Sequence, residues 1–341
     1  MINTNLNLKD EHEITYINKP FLLKPVGKDY IWGGDRLKTE FGKHMDMKYV
    51  AESWECSTHF EGTSYAGDLL LSDVLKKHPE YLGTHPKSGH MLPIMIKFID
   101  AKESLSIQVH PDDEYAFEYE NGQLGKTEMW YILDATKDAR IIYGLNHDID
   151  RNVFRKAVEK GTIEKYLQSV PVKKNDVFFI PSGMIHAIGA GCLIAEIQEN
   201  SNLTYRLYDY DRVDRYGKRR ELHLDKALDV VTLKRASKLR QPIRVLKYKK
   251  GCAMEFLCRC KYFEVSRMII NTETTRNLVR FQSDSTSFRV LVCIDGCGSI
   301  RYTDRKGEVG MDIFKGDTVF VPAYSIELKL HGKMQMLDVR C

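Results

Sequence analysis

Asn175-Asp-Val-Phe-Phe-Ile-Pro181 is echoed by Gly316-Asp-Thr-Val-Phe-Val-Pro322. Upstream of each copy, Glu128-Met-Trp-Tyr-Ile-Leu-Asp134 aligns without a gap to Arg289-Val-Leu-Val-Cys-Ile-Asp295. Self-similarity of this kind marks a duplicated structural unit. The stretch between the two segments is longer in the first copy, by about the length of a helix-patterned run over 151–170. There Val153, Phe154, Ala157 and Val158 fall at helical spacing, and Asp150 is placed to cap the start. A second helix is predicted over 222–239, from Leu224, Ala227, Leu228, Val231 and Leu233. The rest reads as short strands rich in β-branched and aromatic residues, at 93–99, 104–109, 129–133, 177–180, 193–198 and 204–208. Many short strands between turn signals predict a sandwich or barrel. The expectation is a mainly β chain of two related barrel units, the first carrying a short helical insertion near 150–170. An N-terminal arm over 1–20, a first unit over 21–245 and a second over 246–341 complete the division.

With 341 residues, the chain is long for a single core, and its 43% hydrophobic content is that of a globular protein. No uninterrupted apolar stretch is long enough to span a bilayer. The first twenty residues lack the apolar segment of a signal peptide, which points to the cytoplasm. A formal charge of +4 is small for this length. The densest basic runs, Lys247-Tyr248-Lys249-Lys250 and 215–220, have no adjoining aromatic stacking pattern and read as solvated faces, not as a nucleic-acid surface. None of the eight cysteines forms a C-x-x-C pair: Cys258-Arg-Cys260 and Cys293 to Cys297 are the closest spacings, read as buried thiols.

The chemistry gathers in three segments of the first unit. In Leu105-Ser-Ile-Gln-Val-His-Pro-Asp112, strand alternation puts Ser106, Gln108 and His110 on one face and turns Ile107 and Val109 to the other. Such a polar row is costly in a dry core and fits a ligand-bearing mouth. In Gly125-Lys-Thr-Glu-Met-Trp-Tyr131, Glu128 opens an otherwise apolar strand. In Ile180-Pro-Ser-Gly-Met-Ile-His186, Pro-x-Gly makes a turn and His186 opens the next strand among apolar neighbours. Together Gln108, His110, Glu128 and His186 supply two imidazoles, one carboxylate and one amide oxygen. That set suits a divalent cation of borderline softness, zinc above all, with a position open for substrate. In the second copy Arg289 stands where the first has Glu128, and Glu327 where the first has His186. The second unit is therefore expected to be a structural copy without metal.

Pro181-Ser-Gly-Met-Ile-His186 resembles the second motif of the cupins. The first cupin motif usually has H-x-H with a glutamate close behind; here it is Gln108-Val-His110, and the glutamate comes much later. In that departure the sequence resembles the type I mannose-6-phosphate isomerases, whose motifs read Q-x-H-P-D, K-x-E and P-x-G-x-x-H. Lys24-Pro25 with Ile31-Trp-Gly-Gly34, Glu52-Ser-Trp-Glu55, and Ala195-Glu-Ile-Gln198 through Arg206 are similar to the short bacterial form. The similarity is strong over 20–235; the remainder fits a degenerate second cupin.

The resemblance implies two cupin (jelly-roll) barrels and one zinc ion per chain, held by Gln108, His110, Glu128 and His186. It implies interconversion of mannose 6-phosphate and fructose 6-phosphate through an enediolate. Arg206 would be the active-site arginine, its alternative being an ion pair with Asp209 or Asp211. Ser106 and Lys126 would line the substrate pocket, and Glu196 is the candidate proton-carrying base. Lys126 and Arg206 are the basic groups near the motifs that could meet the phosphate. The turn Trp32–Gly34 either covers the pocket or is a tight turn under a core tryptophan. Two other functions share the fold: an iron-dependent cupin oxygenase, and a non-catalytic sugar-binding cupin. The expected partner is a small sugar phosphate, without nucleic acid or membrane, and the chain would be a monomer or a homodimer.

Overall fold

Each of the six predicted strand runs forms a strand: Ile94–Ala101, Ile107–Val109, Glu128–Ala135, Val177–Ile180, Cys192–Glu199 and Tyr205–Tyr208. The structure is a computed structural model that describes residues 18–86, 91–213, 216–237, 241, 244–273 and 277–341. The arm expected over 1–20 lies outside the described residues, apart from 18–20. The fold is mainly β, with antiparallel sheets, and divides into two compact units.

One unit comprises Pro25–Thr63 and Ile94–Ile243. Its six-stranded sheet runs, in spatial order, Val177–Ile180, Glu128–Ala135, Cys192–Glu199, Ile94–Ala101, Glu52–Cys56 and Val26–Lys28. Its five-stranded sheet runs Leu167–Pro171, Arg140–Leu145, His186–Ile188, Ile107–Val109 and Tyr205–Tyr208. Inward side chains of both sheets, among them Ile99, Trp130, Ile132, Phe178, Ile141 and Ile188, form one buried cluster, which Trp32 joins. That is the core of a sandwich of two sheets. Ile107 and Val109 turn outward as the alternation requires and pack with Phe154, Ala157, Ala227 and Leu228 of two helices.

Both helices are shorter than the periodicity predicts. The first spans Arg151–Glu159, with the Asp150 side chain accepting from the backbone N–H groups of Asn152 and Val153. Gly161, at φ +64°, turns the chain out of the helix, and the following residues form the 3₁₀ turn Ile163–Tyr166 and then the strand Leu167–Pro171. The second helix spans Leu224–Val230 and ends as the Thr232 N–H donates to the Gly183 carbonyl. Three further helices, Arg36–Phe41, Leu71–Lys77 and Asp113–Tyr119, are of six or seven residues and lie outside the two predicted helical runs.

The other unit comprises the described parts of residues 1–24, Ser64–Pro93 and Arg244–Cys341. A single cut near residue 245 does not describe this grouping. The strand Phe21–Lys24 pairs with Thr318–Val321, Phe21 opposite Phe320, and the ring of Phe320 stacks on Phe21 and Phe288 at 5.2 and 5.3 Å. The unit is an eleven-stranded antiparallel sheet.

Each unit contains one copy of the repeat, in the same register. In one, Glu128, Met129, Trp130 and Tyr131 lie opposite Ile180, Phe179, Phe178 and Val177. In the other, Arg289, Val290, Leu291 and Val292 lie opposite Val321, Phe320, Val319 and Thr318. The next hairpin differs in its connection. Asp304 and Gly307 are joined through two turn residues, whereas Leu145 and Leu167 pair across a loop that carries the capped helix. No helix among the described residues is long and apolar enough to cross a membrane.

Candidate metal centre and its pocket

Three adjacent strands of the five-stranded sheet set His186 opposite Gln108 and Gln108 opposite Arg206. The facing sheet contributes Glu196, opposite Trp130 on one neighbour and Lys97 on the other. His110 follows its strand by one residue and Glu128 opens its own. The Pro181–Gly183 turn aims His186: Gly183 adopts φ +80°, its N–H donates to the His110 carbonyl, and a Cβ there would come within 2.9 Å of the Val230 carbonyl oxygen.

His110, Glu128 and His186 converge. Nε2 of His186 is 3.1 Å from Nε2 of His110, and the Glu128 oxygens lie 3.5 Å from His110 and 3.4 Å from His186. One ligand atom from each falls within 4.8 Å of the others, a single such cluster among the described residues. All three side chains are buried. His186 Nδ1 is 2.8 Å from the Met184 carbonyl, which can only accept, so Nδ1 carries the proton and Nε2 presents its lone pair. Lys126 Nζ makes an ion pair of 3.1 Å to Glu128; otherwise both buried Glu128 oxygens lack a hydrogen-bond partner. Orphaned carboxylate oxygens and an imidazole lone pair in one dry space are costly alone and suit a bound cation.

The electrostatics agree with that fit. Burial pushes His186 down to about 4 and His110 well below the usual imidazole range, which keeps both neutral, as metal ligands must be. Burial first, and the nearby Glu196 second, raise Glu128 to about 7 against the pull of Lys126. A cation would displace that proton. Gln108 completes the group: its amide nitrogen is 3.4 Å from His186 Nε2, while its oxygen accepts from Ser106 Oγ at 3.3 Å. A half-turn of the amide exchanges the two atoms without changing shape and would bring an oxygen lone pair to the cluster.

A cavity of about 220 Å³ adjoins this group and is lined by the expected Ser106, Gln108, Lys126, Glu196 and Arg206. His110, Glu128 and His186 do not line it and connect to it through Gln108 and Lys126. Glu196 accepts from the Trp130 indole at 2.9 Å and lies 3.7 Å from Lys97. Its burial would raise it, but Lys126, Lys97, the Trp130 hydrogen bond and His186 together hold it below the usual carboxylate range, which favours the ionised form. Arg206 is not tied to either aspartate: its Nε donates to Ser106 Oγ and its Nη1 to the Glu221 carbonyl, while Asp209 pairs with Arg212 and Arg220 and Asp211 with Arg219. Trp32 both belongs to the core cluster and lines the cavity.

Sequence reading missed Lys97, Tyr30 and Arg220 in this lining. Lys97 left a signal, since it is the one cation in the apolar run Ile-Met-Ile-Lys-Phe-Ile over 94–99. Its ammonium lies 3.6 Å from Glu52, a residue noted only for its motif. Arg220 left none, because it ends a basic run that reads as solvated.

Residues 21–142 match the family model of the catalytic domain of type I phosphomannose isomerase. The chain is 37% identical to mannose-6-phosphate isomerase ManA of Bacillus subtilis over 324 residues, 92% of this chain and 96% of that protein. The crystal structure of a mannose 6-phosphate isomerase from Bacillus subtilis superposes with a TM-score of 0.85 at 33% identity, over 94% of this chain and 99% of that one. A mannose 6-phosphate isomerase solved with zinc and yttrium bound shares the fold, with a TM-score of 0.72 at 14% identity over 94% and 99% of the two chains. A buried His-Glu-His cluster beside a polar cavity, on a chain this similar along nearly its whole length, leads to one assignment: the chain belongs to the type I phosphomannose isomerase family of mannose-6-phosphate isomerases.

Proposed function

We propose that this chain interconverts mannose 6-phosphate and fructose 6-phosphate through an enediolate, with Gln108, His110, Glu128 and His186 holding one zinc ion and Glu196 carrying the proton between C1 and C2. The observation that carries the reading is a buried Glu196, 3.7 Å from Lys97, in the same cavity as Gln108 and Lys126. An aldose–ketose exchange needs a base that is unprotonated at working pH and can return the proton to the neighbouring carbon. Glu196 meets the first need because Lys126 and Lys97 stabilise its charge, and the Trp130 indole fixes Oε2 while Oε1 lies 3.7 Å from Lys97, which lines the cavity with it. When bound, zinc would supply Lewis-acid stabilisation of the oxygens that gain negative charge. Its choice over other cations is supported by the donor set and by the zinc-bound relative of the same fold. Ser106 and the Gln108 amide would orient the sugar, Lys126 would add positive charge beside Glu128, and Arg206 would hold the sugar through a guanidinium anchored on Ser106 and the Glu221 carbonyl. The reading extends to the cytoplasm: all eight cysteines are free thiols, the state a reducing compartment maintains. Family membership removes the oxygenase and the non-catalytic readings.

The test is a coupled assay for fructose 6-phosphate, run with chelated protein, with zinc restored, and on Glu196→Gln. Zinc-restored turnover that falls about 10³-fold in a Glu196→Gln variant with full metal content is expected. Full activity in verified metal-free protein would sink the metal role, and an active Glu196→Gln would remove Glu196 as the base.

A further inference from the structure

Four cations line the cavity, and they are not equivalent. Lys126 is within 3.1 Å of Glu128, and Lys97 lies 3.6 and 3.7 Å from Glu52 and Glu196. Around the His110–Glu128–His186 cluster, two ammonium groups thus meet three carboxylates, which favours an added cation and opposes an anion. Arg206 and Arg220 have the reverse surroundings. Besides lining the cavity, they line an outer groove with Lys218, Arg219 and Glu221. Arg220 grips Asp209 with Nε at 2.8 Å and Nη2 at 2.6 Å, and Arg212 takes the same carboxylate at 2.5 Å while its Nη1 donates to the Ser104 carbonyl at 2.6 Å. Two guanidinium groups, Arg212 and Arg220, therefore bind the one buried carboxylate of Asp209, and Arg206 adds a third positive charge near them. The exposed pair Arg219–Asp211 is neutral, and the exposed Glu221 carboxylate offsets Lys218. With the exposed Glu103 carboxylate 4.0 Å from Arg212, the described residues still leave a formal excess of one positive charge at this end, which favours an anion. The Nη1 of Arg220 and the Nη2 of Arg206 make no hydrogen bond among the described residues, whereas each of the three nitrogens of the Arg212 guanidinium makes one.

Resting on the sugar-phosphate reading above, we infer that Arg220 receives the phosphate of the substrate, with Asp209 as its positioning residue, so that the sugar lies with its phosphate at the Arg206–Arg220 end and its reacting carbons toward Gln108 and Glu196. Asp209 does this by fixing the plane of the Arg220 guanidinium from behind, so little side-chain freedom remains to be lost on binding. Lys126 is left to the metal side and does not take the phosphate.

The experiment compares Arg220→Gln, Arg220→Lys, Asp209→Asn, Lys126→Gln and the control Arg219→Gln, each checked for a folded, metal-loaded state. KM and kcat for mannose 6-phosphate are measured, together with calorimetric binding of inorganic phosphate, which needs no turnover. Arg220→Gln should raise KM about thirtyfold and weaken phosphate binding by a similar factor, while kcat falls less than about threefold. Arg220→Lys should recover part of the loss. Asp209→Asn should raise KM about fivefold, and combining it with Arg220→Gln should add little, as expected of two residues in one unit. Arg219→Gln should leave both readouts within about twofold. Unchanged phosphate binding in folded Arg220→Gln, or wild-type protein that binds no phosphate, overturns the inference, as does a loss confined to Lys126→Gln. Phosphate binding that depends on Arg220 in a protein that does not turn over mannose 6-phosphate would instead retain this site and defeat the isomerase reading.

Discussion

Glu128 and Arg289 hold the same place in two copies of one strand, each opposite the residue before the proline that ends the repeated run, Ile180 in one and Val321 in the other. Two residues further along, Trp130 lies opposite Glu196 and Leu291 opposite Asp338. Both copies thus keep an acid on the neighbouring strand, Glu196 and Asp338, and both acids are buried. In the second copy Arg289 reaches Asp338 with Nε at 2.7 Å and with Nη2, and so supplies the cation itself. In the first copy the strand offers a second carboxylate, and positive charge must come from Lys97, Lys126 and a metal. At the other proposed ligand position, buried His186 is replaced by Glu327, which pairs on the surface with Arg280 at 3.1 Å. The same register therefore houses a site that asks for a cation and a site that contains one. An inward arginine in place of one carboxylate, and a surface glutamate in place of a buried histidine, put an internal ion pair where the first copy has its cluster, while the backbone ladder stays as it was.

The sharpest way to break this comparison is to move the second copy's residue into the first. Glu128→Arg should reduce bound metal from about one per chain to less than about a tenth, and turnover by at least about 10³-fold. Metal analysis of the folded variant checks it; retained metal would mean that Glu128 is no ligand.

Removing the built-in cation is the converse. Arg289→Ala leaves Asp338 buried and unpaired, which should cost about 3 kcal/mol of stability in denaturant titration, with metal content unchanged. Replacing the pair together, Arg289→Met with Asp338→Leu, should recover most of that loss. A large effect of Arg289→Ala on metal content would contradict the separation of roles.

A smaller effect distinguishes the copies by pH. Without a cation Glu128 holds a proton up to about pH 7, so metal binding below that must displace it, and affinity should fall about tenfold per unit from pH 7 toward 5 and level off above 8. In the metal-free protein the same raised carboxyl loses stability as pH rises from its ordinary 4.5 to about 7, while His186, lowered from 6.5 to about 4, gains stability as pH rises through its own window. His110, held well below its ordinary 6.5 by the same burial, adds a second gain, so the cluster's net contribution to metal-free stability should rise with pH between about 4.5 and 6.5, alongside zinc affinity. Zinc titrations at several pH values test this; a flat affinity would remove Glu128's proton from the account.

The smallest effect concerns the helix that replaces a two-residue turn. Asp150→Ala removes two cap hydrogen bonds and should cost about 1 kcal/mol, seen as a lowered melting temperature, with no change in metal content.

What could be read in advance was what is local. Alternation along 104–109 is enough to place Ser106 and Gln108 inward and Ile107 and Val109 outward, and the repeat exposes the pair of units because its register is the same in both. What could not be read was pairing across long separations. Phe21 lies opposite Phe320, so the N-terminal strand joins the unit of the C-terminal residues, and no local pattern announces it. The helix over 151–170 was overextended because Val170 and Leu167 suit a strand as well as a helix, and Gly161 decides between them. Arg220 reads as one more charge in a basic run until its partner Asp209 is known, eleven residues away and across a turn. Lys97 is the case where more could have been drawn: a lone lysine among buried apolar neighbours on a central strand requires a carboxylate, and it has two.

The most direct test of the asymmetry is anomalous diffraction at the zinc edge on crystals of the zinc-loaded protein. The account predicts one peak per chain, between His110, Glu128 and His186 with Gln108 alongside, and none at Arg289 and Asp338. A peak at the second copy, or none within reach of the first, would contradict it.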